Sequence, residues 1–153
     1  MHIVTVATHA DGYYGGFARS ARIAGVRVVV IGRSQNWGGW EWRARLFREY
    51  ATRQDPDELL VFTNAFDTIV QRNMNSFQRD FDALGRDIAM IGMRATSKLS
   101  RSLFDWTWGV KDGLMLMACA LALKARHAEW LYSGLEQLAR IHITEHASLK
   151  ALW

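Results

Sequence analysis

Short runs of apolar residues alternate along the chain with segments whose apolar positions recur at helical spacing. Residues 2–8, His-Ile-Val-Thr-Val-Ala-Thr, have the β-branched character of a buried strand. Turn chemistry follows at His9 to Gly12, and residues 15–24 place Phe17, Ala21 and Ala24 on one helical face. Gly25 stops that helix, and residues 26–31, Val-Arg-Val-Val-Val-Ile, form the clearest strand in the sequence. This opening is a βαβ unit, which implies parallel strands joined by a right-handed crossover.

The same alternation continues. A glycine-bearing polar loop at residues 32–39 leads into a helix predicted over 40–50, with Leu46, Phe47 and Tyr50 inward and Arg43, Arg45 and Arg48 on the wetter face. Pro56 marks the turn into a third strand at 59–63. A short helix is expected over 74–84 and a fourth strand over 88–91. Residues 96–108 have no clean period and are expected to be an ordered loop near the crevice. A strand at 114–117, a long helix from about 119 to 138, a short strand at 141–143 and a terminal helix over 145–153 complete the prediction. Strands alternating with helices throughout indicate an α/β fold with a mostly parallel sheet flanked by helices.

Within this pattern, residues 59–70 organise the rest. An apolar strand breaks on Asn64-Ala65-Phe66-Asp67, and a second apolar stretch follows. A buried parallel strand that delivers polar side chains at its carboxyl end faces the crevice where open α/β sheets bind ligands. Asp67 with an oxygen ligand three residues earlier at Asn64 could hold a hard divalent cation, which often takes one or two carboxylates plus substrate phosphates. Equally, Asn64 could cap a turn and Asp67 the segment after it.

Composition narrows the class. The chain has 153 residues, half of them hydrophobic and 22% charged, which fits one globular domain over residues 1–153 and excludes a disordered one. Net charge is +4, with the arginines dispersed, so no nucleic-acid tract is indicated. The single cysteine, Cys119, rules out an intrachain disulfide framework and a cysteine-built zinc site; it reads as a small buried hydrophobe. The apolar run around it is too short to span a bilayer, which takes about 20 residues. Met1-His2 leads straight into a strand pattern, so the expectation is a soluble, cytoplasmic chain without a leader. Oligomeric state is not legible.

Several familiar motifs are missing. Gly12, Gly15 and Gly16 are wrongly spaced for a dinucleotide fingerprint, and neither a phosphate-binding Gly-Lys-Ser/Thr loop nor Gly-x-Ser-x-Gly occurs. His127, His142 and His146 lack partners at zinc-ligand spacing. Aromatic residues, by contrast, are plentiful. Trp37, Trp40, Trp42, Trp106 and Trp108 fall in or beside two loops expected at the crevice, where an indole could stack on a base or sugar. Trp40 and Trp42 read more naturally as cover for the sheet, whereas Trp37 and Trp106 fit either role. Arg43 and Arg94 could meet a diphosphate.

The order Val4-Thr5-Val6-Ala7-Thr8-His9, Val29-Val30-Ile31-Gly32, Trp37-Gly38-Gly39, then Val61-Phe62-Thr63-Asn64-Ala65-Phe66-Asp67, resembles the glycosyltransferase domain of procollagen lysyl hydroxylases and related viral and bacterial glycosyltransferases. That family has a Val-x-Thr-x-Ala-Thr-His-like first strand, a Trp-x-Gly-Gly loop and a strand ending Phe-Val-Asp-x-Tyr-Asp. Its later Asn-Ser-Gly and Asp-Asp-Gln segments resemble Lys111-Asp112-Gly113 and Glu145-His146-Ala147. The resemblance implies a GT-A-like, Rossmann-like nucleotide-diphosphosugar transferase fold. It also implies manganese or magnesium, and transfer of galactose or glucose from a UDP-sugar donor to a protein or glycan acceptor.

Residue by residue, the resemblance implies that Val6, Ala7 and Thr8 line the uridine. Trp37, Asn64 and Phe66 would complete that surface, with Asp67 and Asn64 on the metal. Glu145 and Asp112 are the candidate catalytic residues. The chain departs from the family at Asn64, which stands where the family has its first Asp and removes a charge from the metal site. It departs again at Asp112, and at Glu145, a single acid in place of two. The family's domain also continues past the position of Trp153, so an incomplete or reduced domain is expected. The alternative function is a catalytically inactive sugar-nucleotide- or glycan-binding or scaffolding module.

Overall fold

The structure, a computed structural model, describes residues 1–71, 73–94, 97 and 114–139. The chain runs β1 (His2–Val6), α1 (Tyr14–Ile23), β2 (Val28–Ile31), α2 (Gly39–Ala51), β3 (Leu59–Thr63), α3 (Met74–Ala83), β4 (Ile88–Arg94), β5 (Leu114–Lys124), a 3-10 turn (Ala125–His127) and α4 (Ala128–Ala139). One five-stranded sheet has the order β2-β1-β3-β5-β4. β1 pairs parallel with both β2 and β3, while β5 lies antiparallel between β3 and β4. Among the described residues, four strands therefore share one direction and β5 opposes it.

Helices cover both faces, and strand alternation decides which residue meets which helix. Val4, Val6, Leu60, Phe62, Leu121 and Leu123 point to one side and pack with α2 and α4. An aromatic trio sits at that interface: Phe47 is 4.5 Å from Phe62 and 5.5 Å from Tyr132, and Phe62 is 5.2 Å from Tyr132. On the other side Ile3 and Ala7 meet Phe17 of α1, and Leu59 and Ala122 meet Phe81 of α3. Burying one such aromatic side chain is worth about 1.5–3 kcal/mol, so Phe62 under both helices is a main tie across the sheet.

Two expectations are corrected here. The helix predicted from residue 119 begins at Ala128, because β5 continues to Lys124. Its uniformly apolar sequence hides the two-residue period, as it does in strands with neighbours on both edges. The register on β4 jumps from Met90↔Leu121 to Ile91↔Met117, leaving residues 118–120 without a β4 partner near the end of β3. Second, Arg43 is buried rather than on the wet face of α2. Its guanidinium lies 5.5 Å from the Trp40 ring and 5.1 Å from the Phe47 ring, where cation–π attraction offsets part of the lost hydration. The predicted loop at 96–108, the strand at 141–143 and the helix over 145–153 lie outside the described residues, Ser97 excepted.

The amino ends of the strands are pinned by polar clamps. His2 is buried, its Nδ1 2.9 Å from Glu58 and its Nε2 against the Tyr50 hydroxyl. Asp87, just before β4, meets Lys124 at the end of β5 and Arg126 and His127 just after it. Hydrogen bonds from His127 and Arg126 hold its carboxyl down at about 2.

Candidate functional site

At the opposite edge, the carboxyl ends of β1 and β3 open into a cavity of about 260 Å³. Val6, Trp37, Trp40, Arg43, Asn64, Ala65, Phe66 and Asp67 line it. This is the position where open α/β sheets take their ligands, and each element delivers its share for a local reason. β1 contributes Val6 as its last residue. Beyond it Ala7 donates its amide to the Ile31 carbonyl at 3.1 Å, and the Thr8 carbonyl accepts from Ser34 at 3.2 Å, which ties the β1 end to the loop after β2.

That loop delivers the indoles. Trp37 is 52% exposed and meets Trp40 and Trp42 edge-to-face, with centroids 5.4 and 5.5 Å away. Trp42 is buried, and glycines make room for it. A Cβ on Gly38 would lie 2.7 Å from Trp42 Cγ, and one on Gly32 would lie 2.8 Å from the far edge of the same ring. Gly38 is therefore a packing requirement, and Gly39, at φ 86° with nothing within 4 Å of an added Cβ, a conformational one; together they let the chain pass over Trp42 and present Trp37 outward.

The β3 end supplies the polar groups. Asp67 is exposed and Asn64 half-buried. The Asn64 Nδ2 donates to Asp67 Oδ2 at 3.1 Å. A hydroxyl chain supports the other oxygen. Thr5 donates to the Thr63 carbonyl at 2.7 Å, the Thr63 and Thr68 hydroxyls are 2.9 Å apart, and Thr68 donates to Asp67 Oδ1 at 3.4 Å. Thr5 and Thr63 are buried, so this chain anchors the exposed carboxylate to the sheet. Phe66 turns aside to stack near His9 at 5.0 Å and Tyr14 at 6.4 Å.

Of the residues singled out from sequence, Val6, Trp37, Asn64, Phe66 and Asp67 share this one cavity. Ala7 buries its methyl against Phe17 and Ala65, and Thr8 borders the loop through its carbonyl. Glu145 and Asp112 lie outside the described residues, and so does the side chain of Arg94. Trp40 and Thr68 were not singled out as site residues. By sequence Trp40 reads as cover for the sheet, and only its place one turn before Arg43 hints otherwise. Thr68 adjoins Asp67 directly, a position from which a hydroxyl can reach the carboxylate.

Among the described residues no group of three His, Cys, Asp or Glu side chains converges as a metal site. A hard cation held by one carboxylate, an amide oxygen and substrate phosphates does not need such a group. Asp67 and Asn64 fit that smaller donor set, provided the Asn64 amide turns over to present its oxygen in place of its nitrogen.

Residues 1–93 match the PLOD GT domain, and that span includes every residue lining the cavity. The chain belongs to the PLOD GT domain family. It is also 25% identical over 97 residues to procollagen-lysine,2-oxoglutarate 5-dioxygenase of Drosophila melanogaster, an alignment covering 58% of this chain and 14% of that protein. The chain thus spans a small part of that relative's length. The family places this PLOD GT domain in a glycosyltransferase lineage, and a five-stranded mixed sheet flanked by helices agrees with a GT-A-like fold. The match ends within β4, so β5 and α4 lie beyond it.

Proposed function

We propose that this PLOD GT domain binds a UDP-hexose with manganese or magnesium at the Trp37–Asp67 cavity and transfers galactose or glucose to a protein or glycan acceptor. The observation that carries the proposal is the meeting of Asn64 and Asp67 with two indoles and Arg43 in one cavity at the carboxyl ends of β1 and β3. In this reading the indoles receive the uracil face, Arg43 supplies positive charge toward the diphosphate, and Asp67 with Asn64 holds the cation. When bound, the cation neutralises charge on the departing diphosphate.

Isothermal titration with UDP plus manganese tests the assignment. Wild-type protein should release heat that is lost in Asp67→Ala, and an unchanged titration in that variant sinks it. The Asn64–Asp67 hydrogen bond favours a second reading, a sugar-nucleotide-binding module without turnover, because a neutral amide stands beside the only carboxylate of the pair. Manganese-dependent release of UDP from UDP-glucose or UDP-galactose decides for the enzyme; tight UDP binding without release decides for the module.

A further inference from the structure

Among the described residues, β2 closes one edge of the sheet, with β1 on one side of it and no strand on the other. Its parallel register with β1 runs without a break from Ile3↔Val28 to Val6↔Ile31. The carbonyls of Arg27 and Ile31 accept from the amides of Ile3 and Ala7, at 3.0 and 3.1 Å. By alternation, Val28 and Val30 turn their own N–H and C=O groups away from β1. Such a row is a ready template for a further strand, and proteins commonly blunt it with a lysine, a proline or a bulge. Val28-Val29-Val30-Ile31 carries neither of those residues, and its register with β1 shows no bulge.

What surrounds this edge is charge of one sign. Residues 12–40 contain Arg19, Arg22, Arg27 and Arg33, with no Lys, Asp or Glu. All four arginines are exposed, and among the described residues none of them forms a salt bridge. Arg27 precedes β2 and Arg33 follows it, so the edge has a cation at either end. Arg33 is steadied there by its Nη2, which donates to the Tyr14 hydroxyl of α1 at 3.2 Å. Arg22 approaches from α1. Ser20 faces the β3 side, where it accepts from the Val70 amide at 3.0 Å, and two residues turn a helix by about 200°, which brings Arg22 round to the β2 side.

We propose that the β2 edge takes an extended acidic segment of a partner protein as an added strand. Its backbone pairs with Val28 and Val30, and its carboxylates meet Arg22, Arg27 and Arg33. In strand addition the main-chain bonds supply affinity and the side chains supply selection. Here the unpaired N–H and C=O groups do the first and the arginines the second. A second copy of this chain is the poorer occupant. Two β2 strands related by a twofold axis would bring one set of arginines against the other, and like charges across a strand pair are destabilising. The inference stands apart from the sugar-nucleotide reading, because it uses none of the residues that line the Trp37–Asp67 cavity.

The test adds acetyl-Glu-Val-Glu-Val-Glu-Val-amide to the full chain and follows the backbone amides by NMR. Saturable shifts centred on Val28 and Val30 are expected, and they should weaken as salt is raised. The same peptide N-methylated throughout keeps its charge but donates no backbone hydrogen bond, and should bind about tenfold more weakly or worse. Acetyl-Lys-Val-Lys-Val-Lys-Val-amide should give no saturable shift. Val30→Pro removes an outward N–H that the sheet does not use, and should abolish binding of the acidic peptide. Arg22→Gln combined with Arg27→Gln should weaken it about tenfold. If Val30→Pro fails to fold, the N-methylated peptide on the wild-type protein decides alone. Absence of a saturable shift with the acidic peptide overturns the proposal. Equal binding of the N-methylated peptide also overturns it, since the arginines would then be a plain polyanion site. So does equal binding of the lysine peptide. Shifts at Val28 and Val30 that grow with protein concentration alone would give the edge to a second copy and overturn it as well.

Discussion

Gly38→Ala adds one methyl group and should disturb the candidate site from its foundation. The backbone at Gly38, φ −101° and ψ 12°, is open to any residue, so the cost is not conformational. It is steric. The new Cβ would lie 2.7 Å from Trp42 Cγ and 2.8 Å from Trp42 Cβ, and the second of these is fixed by the backbone, so no rotamer change relieves it. Nor can the ring slide away, because its far edge already sits where Gly32 would carry a Cβ. The start of α2 must move from the loop, an overpacking that costs about 1–3 kcal/mol. In a domain of about this size each kcal/mol lowers the melting temperature by roughly 2–4 °C, so the expected drop is roughly 2–12 °C. Urea unfolding followed by tryptophan fluorescence reads the free energy, and a thermal scan reads the temperature. Gly15→Ala is the control. It lies in α1 with nothing within 4 Å of the added methyl and should be neutral or stabilising by about 0.5–1 kcal/mol. If Gly38→Ala came within about 0.5 kcal/mol of wild type, the account of the Trp37-Gly38-Gly39 loop as a seat for Trp42 would be wrong.

Two further predictions concern the hydroxyl chain and the amino-end clamp. Thr68→Val keeps the shape and removes the hydroxyl between Thr63 and Asp67; UDP–manganese affinity should fall roughly two- to tenfold by calorimetry, Thr68→Ser should restore it, and an unchanged affinity would show that the hydroxyl does not orient Asp67. Burial lowers the His2 pKa below 6.5 against the opposing charge of Glu58, so the unfolded chain takes up a proton before the folded one does. Stability is therefore complete above about 6.5 and declines as pH falls through that value toward the lower folded one. The urea midpoint should drop between about pH 7.5 and 5, and His2→Gln should flatten the drop, whereas equal midpoints in wild type would contradict a neutral buried His2. Asp87 acts in a separate window, its contribution being lost only as pH falls from 3.8 through about 2.

How much of this was legible in the sequence depends on whether neighbours leave a periodic mark. β3 is found at its predicted residues, 59–63, because apolar identity there ends abruptly on Asn64. Helix α2 shows itself through Phe47 and its turn-spaced partners. β5 shows only its start, the strand expected over 114–117, since a run of Leu, Met, Ala and Cys up to Leu123 erases the difference between a period of two and one of 3.6. Arg43 misled for another reason: a charged residue is assigned to water by default, and only the two rings on either side of its guanidinium reverse that. At the site, Asn64, Asp67 and Trp37 could be read because polar and glycine residues interrupt strand endings. Thr68 and Trp40 could not, because their roles depend on what lies across the crevice, not on their own spacing.

Perturbed titration alone would point to the wrong end of the molecule. Asp87, whose carboxyl is held well below its ordinary range at about 2, would rank as a functional candidate by that criterion. Its partners argue otherwise. Lys124 at the end of β5, with Arg126 and His127 just after it, all bring opposite or complementary charge, while the Lys124 amide donates to the Asp87 carbonyl at 3.0 Å. The arrangement joins the start of β4 to the end of β5 and satisfies itself, leaving little for a ligand to do. Asp67 has the reverse character: one neutral amide and one hydroxyl as partners, exposure to solvent, and a cavity on either side. A carboxylate so lightly compensated could take the proposed cation without first giving up a strong ion pair. That difference in compensation, more than any shift in acidity, is why the site is proposed at the carboxyl end of β3 and not at the Asp87 clamp.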